Sequence, residues 1–244
     1  MERTRPATRS NDEGLIRRAH RRAVSSAHVN RLKRWLPLSG VLAVIAVGST
    51  SQIAPPPPVA GAPADEVVAY FTVHHVGLEI ESVNLSIGIV LLLVFAATLH
   101  ERLGGIASLT AMAAVAVMAA CTLVEVAAFQ TLVYRENPDP ARATLLNDFQ
   151  DFGFQVTTFP ALLFLAASSY AILATSGLPR LLGQAAAVAA GLQIVAWVSF
   201  FAPTGQLAAG GVPSIIAFAA LLAWTGACSI TMIVRADRQA PAGG

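Results

Sequence analysis

Long apolar runs separated by short polar turns make up most of the chain after Trp35. The longest run, Ile106 to Tyr134 (IASLTAMAAVAVMAACTLVEVAAFQTLVY), contains a single carboxylate, Glu125. Because about 20 apolar residues are enough to cross a bilayer, this run predicts a membrane span. The whole pattern predicts six spans, at residues 35–54, 79–99, 106–130, 156–175, 181–201 and 212–234.

Composition and charge agree with this pattern, and the charge distribution predicts the orientation of the spans in the membrane. The 244 residues are 55% hydrophobic and 12% charged, which is typical of an all-α, polytopic membrane protein. In alternate loops, fourteen basic residues fall on one side and two, Arg135 and Arg142, on the other. By the positive-inside rule, we expect a bundle of six transmembrane helices in the plasma membrane with both termini in the cytoplasm.

Both ends of the chain differ from the apolar part. Residues 1–34 hold ten of the sixteen basic residues and few bulky apolar ones, which predicts a disordered, Arg-rich cytoplasmic tail. Such a segment beside a span is expected to contact the lipid bilayer through anionic headgroups. A nucleic-acid-binding arm is the more specific alternative for this segment, but no nucleic acid is expected as a partner. Residues 235–244 are expected to form a short flexible cytoplasmic tail.

The region around the first predicted span allows two interpretations. A basic segment, an apolar stretch and the sequence Ala62-Pro63-Ala64 are typical of a cleaved signal peptide. The long basic segment and the four prolines from Pro55 to Pro58 favour an uncleaved signal anchor instead. The prolines predict a stiff, extended linker over residues 55–64.

A short amphipathic helix is expected after this linker. Asp65 and Glu66 suit a helix start, and the side chains that follow share one face at helical spacing: Val67, Tyr70, Phe71 and His74. Gly77 is expected to loosen the join to the second span. The short helix is therefore predicted to lie along the membrane surface.

A second amphipathic helix is expected after the third span. Asp139 suits its N-cap and Pro140 its first position. Two stripes recur at the spacing i, i+4, i+7 and i+11: an apolar one of Leu145, Phe149, Phe152 and Val156, and a polar one of Thr144, Asp148, Asp151, Gln155 and, close to that spacing, Thr158. Pro160 is expected to kink the helix or to fall in the first turn of the fourth span.

Small residues spaced four apart in the last two spans predict close helix packing. They are Gly183, Ala187 and Gly191 in the fifth span and Ala219, Ala223 and Ala227 in the sixth. The two cysteines, Cys121 and Cys228, are predicted to lie at depths about 13 Å apart. A disulfide requires α-carbons within about 7 Å, so two free, buried thiols are expected.

Several short motifs resemble those of a known family. These are DEVVAYFTVHH after the proline-rich linker, LHERLGG at the end of the second span, DPARATL after the third, Phe159-Pro160 near the start of the fourth, and SGLPRLLG before the fifth. Together they resemble a family of uncharacterised six-span membrane proteins common in actinobacteria, over roughly residues 35–234. The resemblance implies the six-span fold and no activity; the Arg-rich tail is not part of the pattern.

Polar residues collect near the predicted outer interface, and Glu125 is the most unusual of them. A carboxyl flanked by Val124 and Val126 inside a span needs a partner, an aqueous cavity or a proton. We hypothesise an outer-side pocket shared by Glu125, Asp148 and Asp151, in which close carboxylates retain a proton or recruit a cation. Glu79 and His75 are further candidates for this pocket. A structural hydrogen bond of Glu125 within its own helix is the alternative.

Three functions are compatible with these features. A non-catalytic binding or scaffold protein is favoured, since the sequence lacks HExxH, GxSxG and a phosphate-binding loop and has a single lysine, Lys33. A small proton- or cation-coupled transporter that uses Glu125 is the second reading. A metal-dependent membrane enzyme on the outer face is the third, although the spacing of the histidines matches no known ligand pattern. No cofactor and no metal are expected, while a protein partner or a homo-oligomer stays open.

Overall fold

The computed structural model describes residues 35–53, 55–134, 139–202, 207 and 211–239. The predicted Arg-rich tail, residues 1–34, lies outside the described residues, as do residues 135–138 and 240–244. The described residues from Pro37 onward form one compact unit, and the fold described below is that of this unit.

The described residues form α-helices and two short 3-10 helices, with no strand among them. The α-helices are α1 (Leu38–Gly48), α2 (Ala64–Leu103), α3 (Gly105–Val133), α4 (Pro140–Val156), α5 (Thr158–Ala174), α6 (Arg180–Ala196) and α7 (Val212–Gln239). The 3-10 helices, Thr50–Gln52 and Trp197–Phe201, extend α1 and α6. The expected all-α class is confirmed.

Among the described residues, five stretches are long and apolar enough to cross a membrane. They are Ala64–Leu103, Gly105–Val133, Pro140–Ala174, Arg180–Phe201 and Val212–Ala236. The first predicted span corresponds to α1, which has 11 residues and is shorter than the roughly 20 that a bilayer requires. The chain is therefore an all-helical protein with the architecture of a multi-pass membrane protein.

Six of the helices pack as a closed ring in chain order. Each of α1, α2, α3, α5, α6 and α7 packs against the next, and α7 returns to α1. The remaining helix, α4, packs on α2 and α3. At one end of the ring, Arg102 donates to the carbonyl of Met232 (3.1 Å) and Arg235 to that of Gly177 (2.9 Å). We call this the arginine end, and the opposite end, where residues 55–63 lie, the linker end.

Helix α2 differs from the sequence-based expectation. It continues without a break through Gly77 for 40 residues, about 60 Å at 1.5 Å per residue, so the separate surface helix was a wrong prediction. One glycine within a helix costs about 1 kcal/mol relative to alanine. Packing offsets this cost, because Val67, Phe71 and Leu78 are buried in a core at the linker end, together with Phe129, Leu132, Val133 and Ala143.

Helices α4 and α5 meet at a break that Pro160 explains. The predicted start is confirmed, with Asp139 at the N-cap and Pro140 in the first turn, although the Asp139 side chain makes no capping hydrogen bond. Helix α4 ends at Val156, four residues before Pro160. A proline has no N–H to donate to the carbonyl four residues earlier, and its ring crowds that carbonyl.

The predicted packing stripes are only partly used for contacts within the chain. Gly183 is buried against α5, where an added Cβ would lie 2.8 Å from Leu173 Cγ. Ala187 and Gly191 are exposed, as are all three alanines of the α7 stripe, Ala219, Ala223 and Ala227. Each step of four residues rotates about 40° around a helix, so the α6 stripe turns away from the buried face after Gly183.

The end of α7 and the cysteines complete the comparison with the sequence. Helix α7 continues to Gln239, past the predicted start of a flexible tail at residue 235.

Both cysteines are free, as predicted; Cys228 is buried, whereas Cys121 is only half-buried.

Candidate functional site

The ring of helices encloses a cavity of about 320 Å³ in its linker-end half. Every helix contributes to its wall: Val47 of α1, Leu85 of α2, Met118 of α3, Phe154 of α4, Ala161 of α5, Gln193 of α6 and Phe218 of α7. Small-molecule sites in proteins are typically cavities of about 300 to 1,000 Å³ with mainly apolar walls and a few polar groups. The cavity therefore has the size and character of a ligand site.

Glu125 lies in the wall of this cavity and is 7% exposed. Its side chain passes over Gly153 of α4, where an added Cβ would lie 2.6 Å from Glu125 Cγ and 3.1 Å from Cδ. Glycine at this position leaves room for the carboxyl between α3 and α4. The Oε1 atom is buried and has no hydrogen-bond partner among the described residues.

Helix α4 turns its polar stripe inward and its apolar stripe outward. Leu145, Phe149, Phe152 and Val156 are 43 to 67% exposed. On the opposite face, Gln155 is buried, and its side chain accepts from Ser214 (2.7 Å) and donates to the carbonyl of Ala196 (2.5 Å). An apolar face on the outside is favourable when lipid rather than water surrounds the helix.

The two aspartates of the polar stripe hold the proline-rich linker. The backbone N–H of Gly61 donates to Asp148 (2.9 Å), and that of Ala60 donates to Asp151. Asn147 donates to the carbonyl of Pro58 (3.0 Å), next to these two contacts. Helix α4 thus fixes the second half of the linker by three side-chain hydrogen bonds.

The first half of the linker closes the linker end of the cavity. Tyr70 of α2 donates to the carbonyl of Pro55 (2.6 Å). Within the linker, Pro56, Pro57 and Val59 contribute to the cavity wall. Residues 55–61 therefore form a strap, tied to α2 at one end and to α4 at the other, across the cavity.

The break between α4 and α5 also faces the cavity. Thr157 and Thr158 both line it. The Thr158 hydroxyl donates to the carbonyl of Gln155 (2.6 Å) and accepts from the indole N–H of Trp197 (3.0 Å). These bonds connect the break to the last turn of α4 and to the end of α6.

The structure brings together some of the predicted pocket residues and separates others. Glu125 and Asp151 line the same cavity, whereas Asp148 is bound to the linker and does not line it. Glu79 and His75 are exposed on α2, outside the cavity wall. The carboxylate that α2 does contribute is Glu81, which sequence reasoning did not select for the pocket.

The helical spacing of residues along α2 could have identified Glu81 as a cavity residue. Once α2 is a continuous helix, Glu81 falls beside Ser82 and one turn from Leu85, on the inward face, while Glu79 lies on the outward one. Gln150 was missed as well, because it lies between the two predicted stripes of α4. It lines the cavity, and its Oε1 atom has no partner among the described residues.

Metal binding receives no geometric support in the part of the chain that the structure describes. No group of three or more His, Cys, Asp or Glu side chains there could hold a metal ion. The three carboxylates of the cavity wall, Glu81, Glu125 and Asp151, are therefore spread along the wall and do not converge on one point.

Comparison with known proteins adds no assignment. No family model, no curated protein sequence and no solved structure matches the chain. The class of protein accordingly follows from the fold and the site: an all-helical chain of the multi-pass membrane type, with a carboxylate-bearing cavity inside its helix ring.

Proposed function

We propose that the protein is a membrane-embedded, non-catalytic binding protein that holds a small molecule in the cavity of its helix ring. The cavity carries this proposal: it is lined by all seven helices, is mostly apolar, and has in its wall a nine-tenths buried carboxyl group with an unpartnered oxygen. Buried polar groups in proteins are nearly always paired, and an exception is expected where a ligand binds. The strap over the linker end would retain such a ligand.

A cavity-filling variant tests this proposal. Leu85→Trp places an indole into the cavity, and Leu163→Trp, on the exposed face of α5, is its matched control. Saturable binding of phenylbutylamine, phenylbutanol or phenylbutyrate to the full chain in lipid nanodiscs is expected by calorimetry. Leu85→Trp should weaken this binding at least tenfold, and Leu163→Trp should leave it unchanged. No saturable binding of any of the three probes, or equal binding by both variants, would refute the proposal.

The proposed topology is six spans in the plasma membrane, with both termini in the cytoplasm. The shared position of Arg102, Arg180 and Arg235 at the arginine end supports it by the positive-inside rule. Close packing of α1 supports a retained first span, since a Cβ at Gly88 of α2 would lie 2.4 Å from Val47 Cγ2. Membership of the six-span actinobacterial family and lipid contacts of the Arg-rich tail stay predictions.

Reporter fusions test this topology. Fusions after Arg102, Arg180 and Arg238 should report a cytoplasmic position, and fusions within residues 55–64 or after Arg142 an outer one. The opposite pattern would refute the orientation. A mature N-terminus at Asp65 would show instead that the first span is a cleaved signal and that five spans remain.

A cation-coupled carrier is the second candidate, and the break at Thr157 favours it. Interrupted helices that line a central site are characteristic of secondary transporters. Here both Thr157 and Thr158 line the cavity that holds Glu125. Uptake of radiolabelled phenylbutylamine into proteoliposomes under an imposed proton gradient would distinguish a carrier from a binding protein that releases its ligand to the same side.

A further inference from the structure

All the charged residues that line the cavity are acidic. Its charged residues are Glu81, Glu125 and Asp151, and the described lining contains no Lys, Arg or His. Asp151 already accepts one hydrogen bond from the backbone of Ala60, whereas Glu125 Oε1 has no partner among the described residues. An anion in this wall would meet only repulsion, so the ligand is expected to be neutral or cationic.

Two residues of the wall carry a buried, unpartnered hydrogen-bond acceptor. Both Glu125 Oε1 and Gln150 Oε1 lack a partner among the described residues, and both residues line the cavity. A ligand that satisfies them must donate hydrogen bonds. An ammonium group has three N–H donors and no acceptor, as in lysine, and its bond to a carboxylate is stronger than a bond between neutral groups.

The rest of the wall suits the apolar part of such a ligand. Phe129, Phe154 and Phe218 line the cavity, and aromatic faces attract a nearby cation as well as hydrocarbon. At about 30 Å³ for each non-hydrogen atom, by analogy with the volume of a water molecule, the cavity holds roughly ten such atoms. A bare metal ion would leave most of this apolar space empty, and the described carboxylates form no metal-holding group.

An apolar cleft on the outside of the bundle leads to the same carboxyl. It lies between α3 and α4, is lined by Cys121, Val124, Phe149 and Phe152, and includes Gly153 and Glu125. Glu125 therefore borders both the outer cleft and the central cavity. A molecule that partitions into lipid could reach the carboxyl from the side, next to the small Gly153.

From these observations we infer that the cavity selects a lipophilic ammonium: a monocation of roughly ten non-hydrogen atoms, whose N–H groups bind Glu125 and Gln150. This inference rests on the proposed binding function and adds the ligand class. It assigns Glu125 the role of counter-ion and the phenylalanines the role of a surface for the apolar body.

Three probes of equal shape and different charge test the inference. Phenylbutylamine, which carries an ammonium at neutral pH, is compared with phenylbutanol and phenylbutyrate by calorimetry on the full chain in phosphatidylcholine nanodiscs, after subtraction of empty nanodiscs. The ammonium should bind at least tenfold more tightly than the alcohol. The carboxylate should bind more weakly than the alcohol.

Two matched variants locate the source of the preference. Glu125→Gln keeps the shape of the side chain and removes its charge, so ammonium affinity should fall at least tenfold while alcohol affinity stays the same. Glu79→Gln removes a carboxylate from the exposed face of α2 and should change neither value. The apparent melting temperature of each unliganded variant shows whether it is folded.

The outcomes separate the inference from the proposed function. Equal affinities for ammonium and alcohol, or an ammonium preference that survives Glu125→Gln, would overturn the inference alone, because a site for apolar molecules would still exist. Absence of saturable binding by all three probes would overturn the inference together with the proposed function.

Discussion

The two ends of the helix ring differ in how closely they are packed and in how completely their polar groups are hydrogen-bonded. At the arginine end, the turns are short, side chains close on backbone carbonyls, and Leu103 and Leu178 are buried. At the linker end, the helices leave a cavity, and three of the five unpartnered buried atoms among the described residues belong to Glu125, Asn147 and Gln150. The arginine end supplies stability, and the linker end keeps free volume and unmet hydrogen-bonding capacity.

This difference shows where function can lie in a chain without a recognisable motif. Close packing leaves no room for a ligand, and each unsatisfied buried polar group costs about 1 to 3 kcal/mol. A protein retains such costs where they are useful, and here two of the five unpartnered atoms, those of Glu125 and Gln150, belong to residues that line one cavity. Substitutions at the two ends should therefore differ in sign as well as in size.

The largest effect is expected for Gly183→Ala near the arginine end. The added Cβ would lie 2.8 and 2.9 Å from Leu173 Cγ and Cδ2, so α5 and α6 must separate or Leu173 must leave its rotamer. Overpacking of this kind costs about 1 to 3 kcal/mol. Gly191→Ala on the same helix, with no atom within 4 Å of the added Cβ, is the matched control and should be neutral or slightly stabilising. Thermal unfolding in detergent measures both, and equal melting temperatures would contradict the described packing of α6.

Next in size is the contrast between Arg102→Gln and Glu125→Gln. Removal of Arg102 breaks its hydrogen bond to the Met232 carbonyl between α2 and α7, and since the side chain is only half-buried, a loss of about 1 kcal/mol is expected. Glu125→Gln removes a buried acidic group that has an unpartnered oxygen, so unliganded stability should stay the same or rise.

Urea unfolding of the two variants, side by side, measures this contrast. A clear loss of stability in Glu125→Gln would show that the carboxyl is a structural partner of a group at the linker end. The hypothesis of a single hydrogen bond within its own helix would then regain support.

The smallest change in global stability is expected for Asp148→Asn in the strap. The contact with the Gly61 amide is exposed, and exposed polar contacts contribute about 1 kcal/mol or less. Local opening should nevertheless increase, seen as faster hydrogen exchange at the Gly61 and Ala60 amides with little change at α7. Asp139→Asn, whose carboxylate lies 3.7 Å from Arg142 in an exposed pair, is the control. Unchanged exchange in Asp148→Asn would show that Asp148 does not hold the strap.

Sequence patterns predicted the ends of elements better than their inward faces. The α4 start at Pro140 and the break before Pro160 follow from local rules, since a proline acts on the backbone wherever its helix packs. Of the predicted α6 and α7 stripes, only Gly183 is buried within the chain, for the opposite reason. In a membrane, both the packed and the lipid-facing surface of a helix can be apolar, so spacing of Ala219 and Ala223 does not show which side faces inward.

The candidate site was predictable only in part, for a related reason. A carboxyl inside an apolar run identifies Glu125 without any knowledge of its neighbours. The contributions of Glu81 and Gln150 depend on how α2 and α4 are rotated in the bundle, and this follows from tertiary packing. The link between Asp148 and Gly61 joins residues 87 positions apart, which no local pattern indicates.

The position of Glu125 between the outer cleft and the central cavity has a consequence for how fast a ligand enters. If the ligand arrives through the cleft, its concentration in the bilayer, and not its concentration in the surrounding water, sets the rate of entry. An amphipathic amine accumulates in lipid, so it would enter faster than its aqueous concentration alone allows. The equilibrium occupancy at a given free aqueous concentration would not depend on the route. At one aqueous concentration, two membranes with different partition coefficients would therefore give one protein two association rates.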